Sequence, residues 1–274
     1  MGQLKVALAG LGAVGLKVAQ WLDSTEAGTL GQGLSLVAVT ASSEESARSK
    51  LAQLKKQPRY LPPGDLASVA DVVVECLPPE LFREVAEPTL RAGRILMPLS
   101  VTQLLVNWDL TDLAGDTGAR IIVPTGALLG LDAVRAAAEG NLRSVTMKTR
   151  KPPAGLAKAP FVVEQGLDLS DLSEPLRLYN GSVRDAAQKF PANVNVAVAL
   201  SLAGKGPDET QYEIWADPDV TRNTHVIEVD AEEVSFEMSI AGVPTAENPA
   251  TGKLTPLSTI AALKSLVQPL KVGS

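Results

Sequence analysis

The chain has one cysteine, Cys76, and one histidine, His225, in 274 residues. A single thiol excludes an internal disulfide, and a single imidazole leaves no histidine pair for zinc, so no metal is expected. Lysine and arginine form no run and the net charge is −6, which argues against a nucleic-acid partner. No apolar stretch reaches membrane-spanning length, and residues 1–9 read as a core strand rather than a signal peptide. These absences describe a soluble, cytoplasmic protein with no membrane partner. What is present is a hydrophobic fraction of 45%, enough for the cores of one large domain or two.

The most informative stretch lies near the start. Leu4 to Ala9 is a short apolar run compatible with a strand, and Val14, Val18, Trp21 and Leu22 recur at the spacing of one helical face. Between them stands Gly10-Leu11-Gly12-Ala13-Val14-Gly15. Gly10 permits a tight turn, Gly12 lets the backbone approach a pyrophosphate, and Gly15 lets the helix pack on the strand. The helix N-terminus, with Ala13 and Val14, offers unpaired N–H groups and a partial positive charge to the phosphates. A dinucleotide cofactor is the expectation.

Which cofactor depends on the end of the next strand, Leu34 to Thr40. An acid there holds the ribose of NAD, whereas NADP sites offer small polar groups and a cation to the 2′-phosphate. The chain reads Thr40-Ala41-Ser42-Ser43-Glu44-Glu45, with no acid at the strand end. NAD or NADP therefore both fit, with NADP or dual use favoured. Ser42 and Ser43, with Arg48 nearby, are phosphate candidates, while Ser42 and Glu45 also fit a capping box for the following helix.

Strand and helix patterns alternate through residue 124, including the buried run Asp71 to Leu77 and a strand over residues 119–124. That alternation calls for a Rossmann-type doubly wound parallel sheet over residues 1–124. Cys76 reads as a small core residue, with no activating base or cation nearby in sequence. From residue 125 the texture changes. Residues 142–149, 210–216, 225–230 and 234–240 alternate in polarity, as half-exposed and mostly antiparallel strands do. A second α+β domain over residues 125–245 follows, its free sheet face suited to forming a homodimer. Residues 246–274 then supply a helix from about Pro256 to Val267, expected to return to the first domain.

Three stretches carry candidate chemistry in the second half. Phe190-Pro191-Ala192-Asn193-Val194-Asn195 opens an alanine-rich helix, where Asn193 reads as an entry cap and Asn195 as a ligand-facing residue. Arg150 and Lys151, braced by Pro152-Pro153, suit a carboxylate ligand or a solvated basic turn. His225 shares a strand face with Ile227 and Val229, so it reads as a sheet-face residue or as an acid/base group titrating near neutrality. Glu75 or Asp132 would orient it, or would cap local structure.

Residues 124–132, Pro-Thr-Gly-Ala-Leu-Leu-Gly-Leu-Asp, together with Thr149-Arg150-Lys151-Pro152-Pro153, Phe-Pro-Ala-Asn-Val-Asn-Val-Ala, Ala216-Asp217-Pro218 and Asn223-Thr224-His225, resemble the L-aspartate dehydrogenase family. Asn248-Pro249 followed by Thr251 fits as well, and the likeness runs nearly the whole chain in order. It implies NAD(P)-dependent oxidation of L-aspartate to iminoaspartate, which hydrolyses to oxaloacetate and ammonia, and in some bacteria a role in NAD biosynthesis. By the same resemblance His225 matches the acid/base histidine, and Ala127 and Asn195 match positions that contact the cofactor. Arg150, Lys151 and Asn193 stand as substrate-binding candidates. The other readings are a homoserine or dihydrodipicolinate type of dehydrogenase or reductase, and a non-catalytic NADP(H) sensor.

Overall fold

The computed structural model describes residues 2–245 and 251–273. The chain forms two compact units, one running to Gly126 and resuming at Thr255, the other formed by the residues between.

In the first unit, β1 (Leu4–Ala9) leads into α1 (Ala13–Leu22) and the single-turn α2 (Thr25–Thr29). There follow β2 (Leu34–Thr40), α3 (Glu44–Leu51), β3 (Arg59–Tyr60), β4 (Val72–Glu75), α4 (Phe82–Arg91), β5 (Ile95–Pro98), α5 (Thr102–Val106), α6 (Asp109–Thr117) and β6 (Arg120–Ile121). The six strands are parallel, in the order β3-β2-β1-β4-β5-β6. This is the expected Rossmann-type doubly wound sheet. Val6, Leu8, Val72 and Val74 are fully buried, as are Ala7, Ala9 and Val73 on the opposite faces, so the central strands are covered on both sides. Burying each of those valines and leucines contributes about 1.5–3 kcal/mol. The strand order reverses between β1 and β4, and in such sheets the crevice beyond their carboxyl ends is where ligands bind. The last strand is shorter than the expected 119–124: Ile122 still donates to the Leu96 carbonyl at 2.9 Å, but Pro124 has no N–H to continue the ladder.

The second unit contains α7 (Leu131–Ala138), β7 (Leu142–Lys151), α8 (Pro160–Glu164), β8 (Leu176–Ser182), α9 (Val183–Lys189), α10 (Asn195–Ala203), β9 (Gln211–Ala216), β10 (Thr224–Ala231) and β11 (Ser235–Ala241). Its sheet has the order β11-β10-β7-β9-β8. Three of the four pairings are antiparallel, and β7 with β9 is parallel, so the sheet is mixed. The strand missed by sequence reading is β8, whose bulge between Arg177 and Tyr179 breaks the alternation. Along β10 burial alternates strictly, placing His225, Ile227, Val229 and Ala231 on the buried face.

The chain closes with α11 (Leu254–Ser265), whose Ile260 and Leu263 join Val6, Leu8 and Leu34 in the core of the first unit. Asn248 and Pro249 of the quoted motif lie outside the described residues. Among the described residues no helix is long and apolar enough to cross a membrane.

Candidate active site

The glycine turn in the first unit is built by steric necessity. Gly10 has φ +109, and a Cβ there would lie 2.5 Å from the Cys76 carbonyl oxygen. A Cβ on Gly15 would lie 2.0 Å from the Gly10 carbonyl oxygen, so α1 touches the turn backbone directly. Over Gly12, by contrast, a Cβ would meet nothing within 4 Å. Gly12 caps α1, no side chain caps that N-terminus, and no acid occupies its first turn. Open backbone and unneutralised N–H groups at a helix start suit a pyrophosphate, so the residues present fit a dinucleotide. Two substitutions separate the roles. Gly15→Ala is expected to destabilise the fold by about 1–3 kcal/mol through overpacking. Gly12→Ala is expected to leave the melting temperature unchanged while weakening cofactor binding, which thermal denaturation and cofactor titration check together.

At the end of β2, the Thr40 hydroxyl donates to the Leu61 carbonyl at 2.6 Å. The helix cap falls one residue later than the capping box predicts. Ser43, not Ser42, accepts from the Ser46 N–H at 3.1 Å, and Ser42 is exposed. Arg48 turns to Glu44 at 2.7 Å on the surface. The cation that reaches the glycine turn is Lys50, whose Nζ donates to the Leu11 carbonyl at 3.1 Å. Sequence reading missed it, because a contact between the last turn of α3 and the loop after β1 leaves no local pattern. Glu75 is fully buried, and its carboxylate accepts from the Leu77 N–H at 2.8 Å, the Ser100 N–H at 3.1 Å and the Ser100 hydroxyl at 3.0 Å. It is therefore a local cap. Burial raises the Cys76 thiol pKa far above its usual range, with the Glu75 charge adding to it, in keeping with a core residue.

In the second unit the strands bring a polar cluster together on the buried face. His225 lies opposite Thr149 in the β10–β7 register, and residues so paired project from the same face. The Thr149 hydroxyl and His225 Nδ1 are hydrogen-bonded at 2.9 Å. Lys151 lies two residues further along β7, on the same face by strand alternation. It is 7% exposed, and its Nζ donates to Asn193 Oδ1 at 2.8 Å and to the Asn193 carbonyl at 3.4 Å. Among the described residues no carboxylate pairs with it. Burial lowers its pKa to about 8. Burial lowers His225 to about 4, with the neighbouring Lys151 charge contributing.

His225 is thus neutral in the fold at neutral pH. Its pKa is depressed from 6.5 to about 4, so its neutral form stabilises the fold fully above pH 6.5, and that contribution is lost as pH falls through about 4. The shift corresponds to about 3 kcal/mol. Urea denaturation at neutral pH and near pH 4 is expected to show this loss in the wild type and a smaller one in His225→Gln.

Other candidates are placed differently. Arg150 points to the opposite face from Lys151, because neighbours on a strand alternate; it pairs with the buried Asp217 at 2.8 Å and lies 5.0 Å over the Trp215 ring. The structure therefore brings Lys151, Asn193, Thr149 and His225 together and leaves Arg150 out. Asn193 is not in the helix: its N–H closes a turn on the Phe190 carbonyl at 2.8 Å, and α10 begins at Asn195. The helix predicted from Pro191 is present but starts at Asn195, the residues before it forming a turn that frees the Asn193 side chain to hold Lys151. Ala127 sits half-buried in a turn behind Gly126, and Asp132 in the first turn of α7. Among the described residues no group of three His, Cys, Asp or Glu side chains is disposed to hold a metal.

Comparison with known proteins gives the family of the chain. Residues 132–266 match the family described as aspartate dehydrogenase, C-terminal, and residues 10–124 that described as homoserine dehydrogenase, NAD binding domain. The chain is 50% identical to an L-aspartate dehydrogenase of Bradyrhizobium diazoefficiens, over 99% of this chain and 95% of that one. The chain belongs to the L-aspartate dehydrogenase family. Another family member, L-aspartate dehydrogenase 3 of Bordetella bronchiseptica, is 48% identical over 99% of this chain and 98% of its own. The crystal structure of aspartate dehydrogenase from Thermotoga maritima shares the fold, with a TM-score of 0.72 at 22% identity, covering 99% of this chain and 100% of that one. Sharing the fold more loosely is a homoserine dehydrogenase from Thiobacillus denitrificans, with a TM-score of 0.65 at 13% identity over 98% and 74% of the two chains.

Proposed function

We propose that the protein is an NAD(P)-dependent L-aspartate dehydrogenase, a soluble cytoplasmic enzyme that oxidises L-aspartate to iminoaspartate, released as oxaloacetate and ammonia, and catalyses the reverse amination. The observation that carries the reading is the Lys151–Asn193 pair beside the Thr149–His225 pair, in a chain of this family. A buried lysine without a carboxylate partner is costly unless a ligand supplies the anion. L-Aspartate has two carboxylates. Because Asn193 Oδ1 accepts from Lys151, its Nδ2 hydrogens are left to donate to the same carboxylate. Lys151 and Asn193 thus form the substrate clamp.

His225 is the acid/base group. Neutral at working pH, it accepts the proton lost in amine oxidation and passes it to solvent, then accepts one from the water that adds to the imine and passes it to the departing ammonia; in the reverse direction the same transfers run backwards. The bound nicotinamide supplies the hydride acceptor. Gly10, Gly12, Ala13, Val14 and Gly15 hold the pyrophosphate, with Lys50 adding positive charge beside the turn, and Ala127 and Asn195 are cofactor contacts by family likeness. The missing acid after β2, with exposed Ser42 and the Ser43 cap, supports NADP or dual use over strict NAD. Lys148 and Glu228, ion-paired at 2.6 Å on the sheet face opposite His225 and 39% and 43% exposed, mark the face assigned to a homodimer.

The test is a substrate panel of L-aspartate, L-glutamate and L-homoserine, each with NAD and NADP. Turnover of L-aspartate alone, with NADP used at least as well as NAD, is expected. Preference for homoserine would replace the reading, and tight NADP(H) binding without turnover would make the chain a sensor.

A further inference from the structure

Resting on the reading above, we infer that Thr149 is a positioning residue that keeps the His225 proton on Nδ1 and leaves Nε2 as the nitrogen that exchanges protons with the substrate. The geometry is fixed by the sheet. Thr149 on β7 and His225 on β10 are direct register partners, bonded at 2.9 Å, with Thr149 fully buried and His225 4% exposed. Water therefore does not compete for Nδ1. Ile240 on β11, the other register partner of His225, is apolar and offers the ring no hydrogen bond.

A hydroxyl both donates and accepts, so the Thr149 contact alone permits either ring tautomer. The surroundings choose between them. Tyr212 on β9 is fully buried beside the Thr149 side chain, and its hydroxyl oxygen has no hydrogen-bond partner among the described residues. That oxygen gives the Thr149 hydrogen a place to turn, leaving an Oγ1 lone pair for Nδ1–H. Lys151 makes the same sheet face electropositive, which favours a lone pair over a second N–H on the nitrogen that Thr149 does not hold. The charged and titratable groups acting on the ring are thus Lys151 from β7 and, through Thr149, Tyr212 from β9. In this arrangement Nδ1–H donates to Oγ1 both before and after Nε2 takes a proton. Thr149 does not itself move a proton. It holds one ring nitrogen constant so that the other can cycle.

Because the chain has a single histidine, isotope-labelled histidine gives one pair of ring-nitrogen NMR signals in the full-length protein. The wild type is expected to show the neutral Nδ1–H form at neutral pH. Thr149→Ser is expected to keep that form and most of the turnover. Thr149→Val is expected to lose the tautomer preference and to lower kcat on the order of a hundredfold with KM for L-aspartate little changed, as misoriented catalytic groups do. An Nε2–H form in the wild type would overturn the inference, as would a valine variant that keeps both tautomer and turnover. If the valine variant fails to fold, the wild-type and serine spectra still decide the tautomer. A wild type with the Nδ1–H form and no turnover of L-aspartate would overturn the proposed substrate and leave the positioning of His225 standing.

Discussion

Replacing His225 by alanine lowers kcat for L-aspartate oxidation by about 10²–10⁴, the usual contribution of a positioned acid/base group. The cofactor dissociation constant stays unchanged, since His225 is bonded to Thr149 and to none of the residues assigned to the cofactor. Stopped-flow or steady-state rates with a parallel cofactor titration check both halves. The reasoning is that this chain has one imidazole, that it lies on the buried sheet face with Thr149 and Lys151, and that it is neutral, with one ring lone pair, at working pH, burial holding its pKa at about 4, below the near-neutral range expected from sequence. A lysine or carboxylate substitute at the position does not restore the rate, because neither has Nδ1 to engage Thr149 while presenting a second nitrogen.

Replacing Lys151 by methionine moves activity and stability in opposite directions. Loss of the buried ammonium removes the cationic partner of the substrate carboxylate, and kcat/KM falls by the equivalent of about 2–4 kcal/mol, read chiefly in KM. Stability at neutral pH rises. The lysine pKa is lowered from 10.5 to about 8, so the folded state disfavours the charged form. The penalty is fully present below pH 8, is relieved between pH 8 and 10.5, and is absent above. Wild-type stability therefore climbs across that window, whereas the methionine variant is flat. At pH 7 the variant gains about 2–3 kcal/mol, the shift less the lost Asn193 hydrogen bonds. The histidine pKa also rises toward its ordinary value in that variant, since the Lys151 charge no longer opposes a second proton. Urea denaturation across pH, with the histidine titration, tests all three signs.

The first unit was legible because its signals are local. A strand, a glycine turn and a helix follow one another within residues 4–22, and Val72, Val73 and Val74 form a continuous apolar run that only a doubly covered strand needs. The second unit was legible where alternation is clean, as along β10, and not where a bulge breaks it, as in β8. Site residues followed the same division. His225 stood out as a lone residue type with a distinctive context. Lys151 and Arg150 were indistinguishable in sequence, although one strand step puts them on opposite faces, with Arg150 taken up by Asp217 and Trp215. Thr149 enters the sequence reading only as part of a family motif, with no role of its own, and Lys50 not at all, because their importance lies in a register partner 76 residues away and in a helix-to-loop contact 39 residues away.

The measurement that bears most directly on the central claim is the formation of reduced cofactor by the purified wild-type protein from L-aspartate at alkaline pH, with NAD and with NADP. The account predicts steady reduction that depends on L-aspartate and stops when it is omitted, with oxaloacetate and ammonia appearing in equal amounts. No reduction with either cofactor, while both still bind, would contradict it.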